Sequence, residues 1–544
     1  MVVTNITELS EIISEQPPVN IPTQQIVNNC LQRAASVLSF FNSHVAISLA
    51  IFQNSQAKID TPTRHIITVA LFGKLNGFND HFLQHIVAAH LISSYIHQHP
   101  KEIANEQRLV ILRFLNKNQL QLWRQIIALK NALFSSSAIR LIQSVKLTPL
   151  QHVSLVASVF SYCRNKHSAL SLVRYITQNT PAIFRPYLYP IASLVTQPLP
   201  GAQVFFKAYP ATIIDIQRDH VLLFSPGRSE EEQIQWVNKA KIYTPAPRYL
   251  AFDEYLLRYT QFEQQRKTKG SPPFFPASYA IQHPPSSLLA IIDELKKTDV
   301  DVSALCKKVE ITPTFSRFLL STASQDNRLR LPVSSVKQAV LTYGLERVGD
   351  MLVQFALMER LTQHKYPLLN ISKQFTLLAC AIASQLASVT TSKFSPQSAA
   401  LVTTFLCAPL FTLPGLKIAV VLPVNNKNYF QVHQTFKIKS TAQWHTIAGE
   451  LATNWHQGAT WRALIHHSGK RHEQVPTSLK KEHAIIQLAF GLAREYLFPL
   501  NQRDDATNAT CNALLNRINL TRNDVSLIMN RLNEYLYCPF NLHS

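Results

Sequence analysis

Hydrophobic residues recur at helical spacing through most of the first 195 positions of the chain. Ile66, Ile67, Ala70 and Leu71 show the pattern, because residues at these spacings share one face of an α-helix. The pattern predicts one amphipathic helix after another from about residue 20 to about residue 195.

The period changes after residue 200. Short runs of β-branched and aromatic residues occupy 204–206, 212–216 and 221–224, and turn-like segments at 209–210 and 218–220 separate them. Such runs are typical of short strands. They predict a small antiparallel β-unit over about 200–245, with a further strand near Ile242 and Tyr243.

Linker-like composition and helix-cap residues then predict the domain boundaries. Residues 262–276 read FEQQRKTKGSPPFFP, in which charge is followed by Gly, Ser and Pro, as in linkers. Helical signals resume beyond it, with Thr312 and Ser334 as candidate N-caps and Gly344 as a candidate C-cap. We therefore expect an N-terminal segment (1–19), a helical domain (20–245) with the β-unit, a linker (246–271) and a second helical domain (272–544).

The expected fold class is mainly α, with two helical bundles and a small antiparallel β-unit that closes the first. In the second bundle, the apolar stripe of Leu352, Phe355 and Ala356 is expected to pack against the run 377–386.

Several enzyme classes lose their main support. The chain has 12 glycines in 544 residues and contains no GxGxxG, GxxxxGK[ST], HExxH or GxSxG motif. The sequence therefore does not favour a dinucleotide-binding, P-loop, zincin or α/β-hydrolase site.

Charge favours anionic partners. Lys and Arg exceed Asp and Glu by 53 − 32 = 21, which suits nucleic acid, nucleotides or acidic surfaces but also suits a basic surface that only aids solubility. Lys470-Arg471-His472 and Lys480-Lys481 add local positive charge near Trp455 and Trp461. This patch is read either as a phosphate or nucleic-acid surface or as a solvated loop.

Cysteine usage and the termini indicate a cytoplasmic chain. The seven cysteines are scattered and form no CxxC, as expected of buried thiols in a reducing compartment. Residues 1–17 lack the basic start of a signal peptide, and the most apolar run, 401–423, is broken by Pro409 and Pro414. We expect no membrane span.

The second half resembles the HDOD domain, a non-catalytic relative of the HD phosphohydrolases. The matching elements, in family order, are Leu331-Pro332-Val333-Ser334-Ser335-Val336, Tyr343-Gly344-Leu345, and His445-x-x-Ala448-Gly449 followed by Trp455. The resemblance makes Gly344, Leu345 and Trp455 fold-defining residues.

The resemblance also implies that this domain has lost its metal site. In HD phosphohydrolases an adjacent His-Asp pair and further His and Asp residues hold metal that activates water. The match places Phe411 and Thr412 at the His-Asp pair, Phe490 at the late Asp and the early His near Gln374. No catalytic residue, metal or cofactor is therefore expected.

Three histidines remain from that constellation. His445, His466 and His467 are interpreted either as a residual polar pocket for metal or phosphate or as residues that hydrogen-bond locally. Their convergence cannot be deduced from the sequence.

The first half resembles a degenerate HD-GYP domain, the class that hydrolyses cyclic di-GMP. The resemblance rests on Arg64-His65 and Ala88-Ala89 and on Pro200-Gly201 before the strands, and the Gly-Tyr-Pro signature is absent. It places the His-Asp pair around 92–94, with Leu129 and Ser158 at two further lost ligand positions.

A run of histidines precedes those positions. Its members are His81, His85, His90, His97 and His99. They suit either a metal site or chance pairs in a chain with 20 histidines, and no acidic partner follows them.

Together these observations predict a non-catalytic bacterial signalling scaffold, a pseudo-phosphohydrolase that acts through protein–protein contacts. One alternative is a binding module for an anionic ligand, either nucleic acid or a cyclic dinucleotide. A second alternative is a residual metal-dependent phosphohydrolase. The sequence names neither the partner nor the oligomeric state.

Overall fold

The computed structural model of the protein contains two units. The first comprises Met1–Ser278, His364–Tyr366 and Ile418–Val420, and the second comprises Tyr279–Gln363, Pro367–Lys417 and Val421–Ser544. The structure describes residues 2–15, 22–54, 59–98, 101–163, 167–229, 232–263, 265, 273–276, 278–326, 332–422, 424–427, 429–436, 441–470, 472–499 and 503–535. His99, Leu331, Arg471 and Cys538 lie outside these ranges.

The first unit is helical apart from one sheet. Its helices are α1 (Val2–Ser14), α2 (Thr23–Ser43), α3 (Val45–Gln53), α4 (Thr61–Leu75), α5 (Asp80–Gln98), α6 (Lys101–Lys117), α7 (Gln121–Ile127), α8 (Ala138–Leu141), α9 (Pro149–Cys163), α10 (Ala169–Asn179), α11 (Tyr189–Val195) and α12 (Phe252–Gln261). Short 3₁₀ segments span Lys130–Phe134, Ala182–Tyr187 and Lys239–Lys241.

The sheet of the first unit is antiparallel throughout. Its strands are β1 (Ala202–Phe206), β2 (Tyr209–Ile216), β3 (His220–Phe224), β4 (Ile234–Asn238) and β5 (Tyr243–Tyr249), in the order β4-β3-β2-β1-β5. Side chains alternate along β1, where Val204 is buried and Gln203 and Phe205 are exposed. Consecutive residues are buried in the middle of β2 and β3, so both faces of these two strands are covered there.

The regular elements among the described residues of the second unit are helices, and one isolated antiparallel bridge joins Val424 to Phe436. Its helices are α13 (Ser286–Leu295), α14 (Val302–Glu310), α15 (Pro313–Asp326), α16 (Val336–Tyr343), α17 (Leu345–Leu361), α18 (Leu369–Val389), α19 (Pro396–Cys407), α20 (Pro409–Thr412), α21 (Pro414–Lys417), α22 (Val432–Thr435), α23 (Thr441–Asn454), α24 (Ala459–His467), α25 (Lys480–Leu497), α26 (Asp505–Arg517) and α27 (Arg522–Tyr535). Two 3₁₀ segments span His472–Gln474 and Thr477–Leu479.

The predicted mainly α class with one small antiparallel sheet is confirmed. In each unit, four helices contact one another in a row. In the first, α4 contacts α5 and α9, and α5 contacts α2; in the second, α18 contacts α19 and α25, and α19 contacts α17.

The predicted linker over 246–271 is wrong in its first part. β5 reaches Tyr249, and α12 buries Phe252, Tyr255 and Tyr259. These aromatic residues follow helical spacing, and α12 packs on β2 and α3, because a helix with one apolar face is stable when that face is covered.

Two expectations for the second unit also need correction. Ser335, rather than Ser334, caps α16, and its hydroxyl accepts a hydrogen bond from the Gln338 N–H. The packing of α17 against 377–386 is wrong, because α17 packs on α19 and α13 while Leu377 is 45% exposed.

Among the described helices, no single one is both long and apolar enough to cross a membrane. The pair α2 and α3, bent by 97° where they meet, passes the length and composition test only when taken together.

Candidate functional site

A hydrogen-bonded chain of three polar side chains lies inside the first unit. His65 Nε2 is 3.0 Å from His90 Nδ1, and His90 Nε2 is 3.0 Å from the Ser154 hydroxyl oxygen. Each contact holds one proton, so two hydrogen-bond patterns are possible. Either His65 donates to His90 and His90 donates to Ser154, or Ser154 donates to His90 and His90 donates to His65. In either pattern both nitrogens of His90 are used.

The three residues come together because their helices pack on one another. His65 lies on α4, His90 on α5 and Ser154 on α9, and α4 contacts both other helices. The start of α4 is fixed by Asp60, whose carboxylate accepts the Thr63 N–H, and by a proline in the first turn. Most of the remaining residues of these helices are apolar and buried, so the three polar side chains hydrogen-bond to one another, while the buried His65 Nδ1 has no partner among the described residues.

Burial controls the protonation of this chain. His65 is 1% exposed and His90 is fully buried. Burial lowers the pKa of His65 to about 3, and burial together with the nearby His65 lowers the pKa of His90 well below its usual value. The rings of Phe134 and Tyr162, each 6.0 Å from the His65 ring, add to the apolar surroundings. His65, His90 and Ser154 are therefore all uncharged at ordinary pH.

The sequence interpretation found His65 but placed its partners elsewhere. Ser158, where the resemblance led us to expect a lost ligand, lies one turn beyond Ser154 and donates its hydroxyl to the Ser154 carbonyl at 3.0 Å. Ser93, inside the expected 92–94 position, donates to the Ala89 carbonyl of its own helix. Leu129 is buried directly before the Lys130–Phe134 segment. His90, which the sequence marked only as a member of the histidine run, and Ser154, which was missed, lie a few positions earlier in the same two helices.

The described histidines of the α5 run take separate roles. His85 accepts the Trp123 indole N–H at 3.0 Å, His97 stacks on Phe134 at 4.7 Å between ring centroids, and His81 lies beside His85. Within the described ranges no three His, Cys, Asp or Glu side chains are grouped as a metal site would need.

The corresponding helices of the second unit meet through apolar and thiol groups. Phe490 on α25 stacks on Phe375 of α18 with 6.3 Å between ring centroids and 11° between planes. Gln374, at the expected early His position, is half-buried beside Phe375. Phe411 and Thr412 lie on α20, where Phe411 is 1% exposed and the Thr412 hydroxyl donates to the Ala408 carbonyl.

Two thiols lie near this interior. Cys380 on α18 is 3.2 Å from the Thr404 hydroxyl of α19. Burial raises the pKa of Cys380 to about 12, and burial with the Cys380 thiol nearby raises the pKa of Cys407 well above its usual value. Both thiols stay protonated, and protonated thiols are poor nucleophiles and poor metal ligands.

A second chain of two histidines and a serine lies in the second unit. His433 Nδ1 is 3.1 Å from His445 Nε2, and His445 Nδ1 is 3.0 Å from the Ser468 hydroxyl. Burial, with His433 and His466 nearby, lowers the pKa of His445 to about 4. A Cβ atom on Gly469 would lie 2.2 Å from His445 Nε2, so this position has no room for a side chain unless the imidazole moves.

Only one of the three retained histidines takes part in that chain. His445 bonds to His433 and Ser468, whereas His466 is exposed at the end of α24 and His467 is half-buried beside it, with 5.3 Å between their ring centroids. His433 and Ser468 were missed, because nothing in the sequence links them to His445.

The structure describes the three positions that the resemblance led us to expect as fold-defining. Gly344 joins α16 to α17 with φ +81° and ψ 159°, so it ends α16 with a positive φ but not in the left-handed helical conformation. Leu345 is the half-buried first residue of α17. Trp455 is fully buried and donates its indole N–H to the Ile281 carbonyl at 2.9 Å.

The buried Trp455 bears on the basic patch at 470–481. A fully buried indole cannot stack on a nucleic-acid base, and Trp461 is half-buried against the Phe394 ring at 4.8 Å. Lys481 donates to the Thr391 carbonyl. These contacts favour the interpretation of the patch as a solvated loop.

No protein-family model matches the sequence, and no curated protein matches it either. Among solved structures, an HDOD domain protein with unknown function from Geobacter sulfurreducens is 16% identical over 46% of this chain and 88% of that chain, with a TM-score of 0.32. The MmoQ response regulator from Methylococcus capsulatus str. Bath is 15% identical over 46% of this chain and 97% of that chain, with a TM-score of 0.23. These TM-scores are low, so the fold class rests on the helices and strands of this chain itself.

Proposed function

We propose that the chain is a non-catalytic regulatory scaffold of bacterial signalling, located in the cytoplasm, which acts through protein–protein contacts. In this proposal both helical units are pseudo-phosphohydrolases. The resemblance of the second half to HDOD domains, carried by Gly344, Leu345 and Trp455, motivates the signalling role.

The observation that carries the proposal is the sealed interior of the first unit. His65, His90 and Ser154 are each at most 1% exposed, and both nitrogens of His90 are occupied by hydrogen bonds. A phosphodiester must reach the groups that act on it, and catalytic groups must be positioned around a site that admits substrate. The side chains instead stabilise the packing of α4, α5 and α9.

The interior of the second unit supports the same proposal. Phe375 and Phe490 stack where α18 and α25 meet, and neither benzyl group can ligate a metal or transfer a proton. The thiols of Cys380 and Cys407 are buried and protonated. An interior of this kind contributes stability to a binding scaffold.

Hydrolysis of cyclic di-GMP tests the non-catalytic part. The purified full chain is incubated with the dinucleotide and Mn²⁺, Fe²⁺ or Mg²⁺ in turn, and we expect no linear product. Hydrolysis that is lost in His90→Ala but kept in Ser158→Ala would contradict the proposal, because the buried, hydrogen-bonded His90 would then be needed for catalysis.

Cross-linking in the native cells tests the scaffold part. The tagged full chain is cross-linked in intact cells, and we expect a reproducible set of protein partners that the tag alone does not retain. The set should persist in Ser158→Ala, a buried change that leaves the surface intact. Recovery of the chain without any cross-linked protein would contradict a scaffold role.

A further inference from the structure

A cavity of about 470 Å³ in the first unit is lined by residues of β1, β2, β5 and α12. The side chains that matter for its chemistry are Gln203 and Phe205 of β1, Thr212 of β2, Arg248 of β5 and Arg258 of α12. This volume lies within the range of about 300–1,000 Å³ that is common for small-molecule sites.

Strand register places the polar groups of the cavity in one row. Gln203 pairs with Thr212 on one side and with Arg248 on the other, so these three residues lie side by side across β2, β1 and β5. Neighbouring strands are about 4.8 Å apart, which separates the ends of the row by about 10 Å of backbone. The flexible Arg248 side chain therefore lines the same space as Arg258.

The two arginines differ in how they are held. Arg258 donates to the Thr212 hydroxyl at 3.2 Å and to the Glu254 carboxylate at 2.6 Å, and its guanidinium lies 5.0 Å from the Phe224 ring centroid. These contacts fix Arg258 in place. Arg248 is exposed, and its guanidinium makes no hydrogen bond or ion pair with the rest of the described chain. A fixed donor beside an unused one suits recognition of an anion with several oxygens.

An aromatic surface adjoins this row. Phe205 is 43% exposed and lines the cavity, and its register partner Tyr243 is 67% exposed. A solvent-facing aromatic side chain beside arginines offers a flat apolar surface for a heterocyclic ring. None of the described side chains that line the cavity is acidic.

We propose that this cavity binds a free nucleotide, with its phosphate between Arg248 and Arg258 and its base against Phe205. The Gln203 amide, which both donates and accepts hydrogen bonds, contacts the sugar or the base edge. This role goes beyond the scaffold function and does not depend on it. It gives the first unit a way to respond to a phosphorylated metabolite of limited size.

The limited volume of the cavity favours a nucleotide over a polymer. Single-stranded nucleic acid needs a groove that follows several phosphates, whereas this cavity provides two guanidinium groups and one lining aromatic ring. Inorganic anions use the arginines but not Phe205. A nucleotide uses both parts of the site.

Titration calorimetry on the full chain tests the proposal with four probes, GMP, pyrophosphate, guanosine and a short single-stranded DNA. We expect GMP to bind more tightly than pyrophosphate or guanosine. Arg248→Ala should weaken GMP binding at least about tenfold, the equivalent of about 1.4 kcal/mol. Phe205→Ala should weaken GMP binding but leave pyrophosphate binding unchanged.

Arg174→Ala is the matched control, because Arg174 is an exposed arginine on α10 that does not line the cavity. It should leave GMP binding unchanged. Arg248 is exposed and makes no such contact among the described residues, so its loss should not unfold the unit, which urea unfolding checks. Absence of GMP binding, equal losses in Arg248→Ala and Arg174→Ala, or DNA binding tighter than GMP binding would each overturn the proposal.

Discussion

His65 Nε2 and His90 Nδ1 lie 3.0 Å apart, and this contact joins α4 to α5 inside the first unit. The other nitrogen of His90 extends the chain to Ser154 on α9. Three helices are therefore linked by side chains that, within the described part of the chain, hydrogen-bond only to one another. Removing either end leaves a buried polar atom unpaired, and such an atom costs more free energy than its hydrogen bond contributes.

Ser154→Ala should lower the free energy of unfolding of the first unit by about 1–3 kcal/mol, because His90 Nε2 loses its partner. Ser158→Ala is the matched control, since Ser158 is also buried on α9 but bonds only to the carbonyl one turn before it. Its effect should stay below about 1 kcal/mol. Urea unfolding of the full chain measures both free energies of unfolding. Equal losses of stability in the two variants would contradict the hydrogen bond between His90 and Ser154.

Stability should fall as the pH is lowered below about 6.5. Burial lowers the pKa of His65 to about 3 and those of His85 and His445 to about 4, so the unfolded chain binds protons that the folded chain excludes. Each such histidine should contribute a slope of about 1.4 kcal/mol per pH unit between pH 6.5 and its folded pKa, and none above about pH 7.5. Urea unfolding at pH 7.5, 6 and 5 measures the slope.

His85→Gln should reduce that slope by the contribution of one histidine, because it removes one titrating group. The glutamine leaves an amide oxygen near the Trp123 indole. Ser158→Ala provides the comparison, because it removes no titrating group and should leave the slope unchanged. A His85→Gln slope equal to that of the parent chain would show that His85 does not contribute as stated.

Local patterns determined how much of the fold could be deduced. The strand run near Val204 was visible because burial of alternate residues imposes a period of two on the sequence. The runs near Val221 and Ile66 were visible as apolar stretches, since consecutive residues are buried in both. Helix α12 was missed although Phe252, Tyr255 and Tyr259 follow helical spacing, because the charged and Gly-Pro segment after it suggested one long linker. The contact of α17 with α19 was missed because periodicity finds a buried face but not its partner.

The sites were harder to deduce than the fold. His65 was located, but a shift of a few residues separates the expected 92–94 and Ser158 from the observed His90 and Ser154. Histidine and serine both occur in ordinary cores, so their types do not mark a site. His433 and Ser468 are 12 and 23 residues from His445, and only the packing of the helices brings them together.

Gly344→Ala should destabilise the second unit by about 1–3 kcal/mol through backbone strain, because φ is +81° and no described atom lies within 4 Å of the new Cβ. Gly449→Ala is the opposite control. Gly449 lies inside α23 with its Cβ position also open, so alanine should stabilise the helix by about 0.5–1 kcal/mol. Thermal unfolding of the full chain should show the two variants on opposite sides of the parent, and a shift in the same direction would refute the Gly344 conformation.

Leu377 and Leu378 are adjacent on α18 but should respond very differently to truncation. Leu378 is 3% exposed, so Leu378→Ala leaves a cavity and should cost about 2–5 kcal/mol. Leu377 is 45% exposed, so Leu377→Ala should cost less than about 1 kcal/mol. Urea unfolding of the full chain compares two variants with the same change of side chain on the same helix. Equal costs would mean that α18 is rotated from the orientation in which it packs on α19 and α25, and the stacking of Phe375 on Phe490 would then be wrong as well.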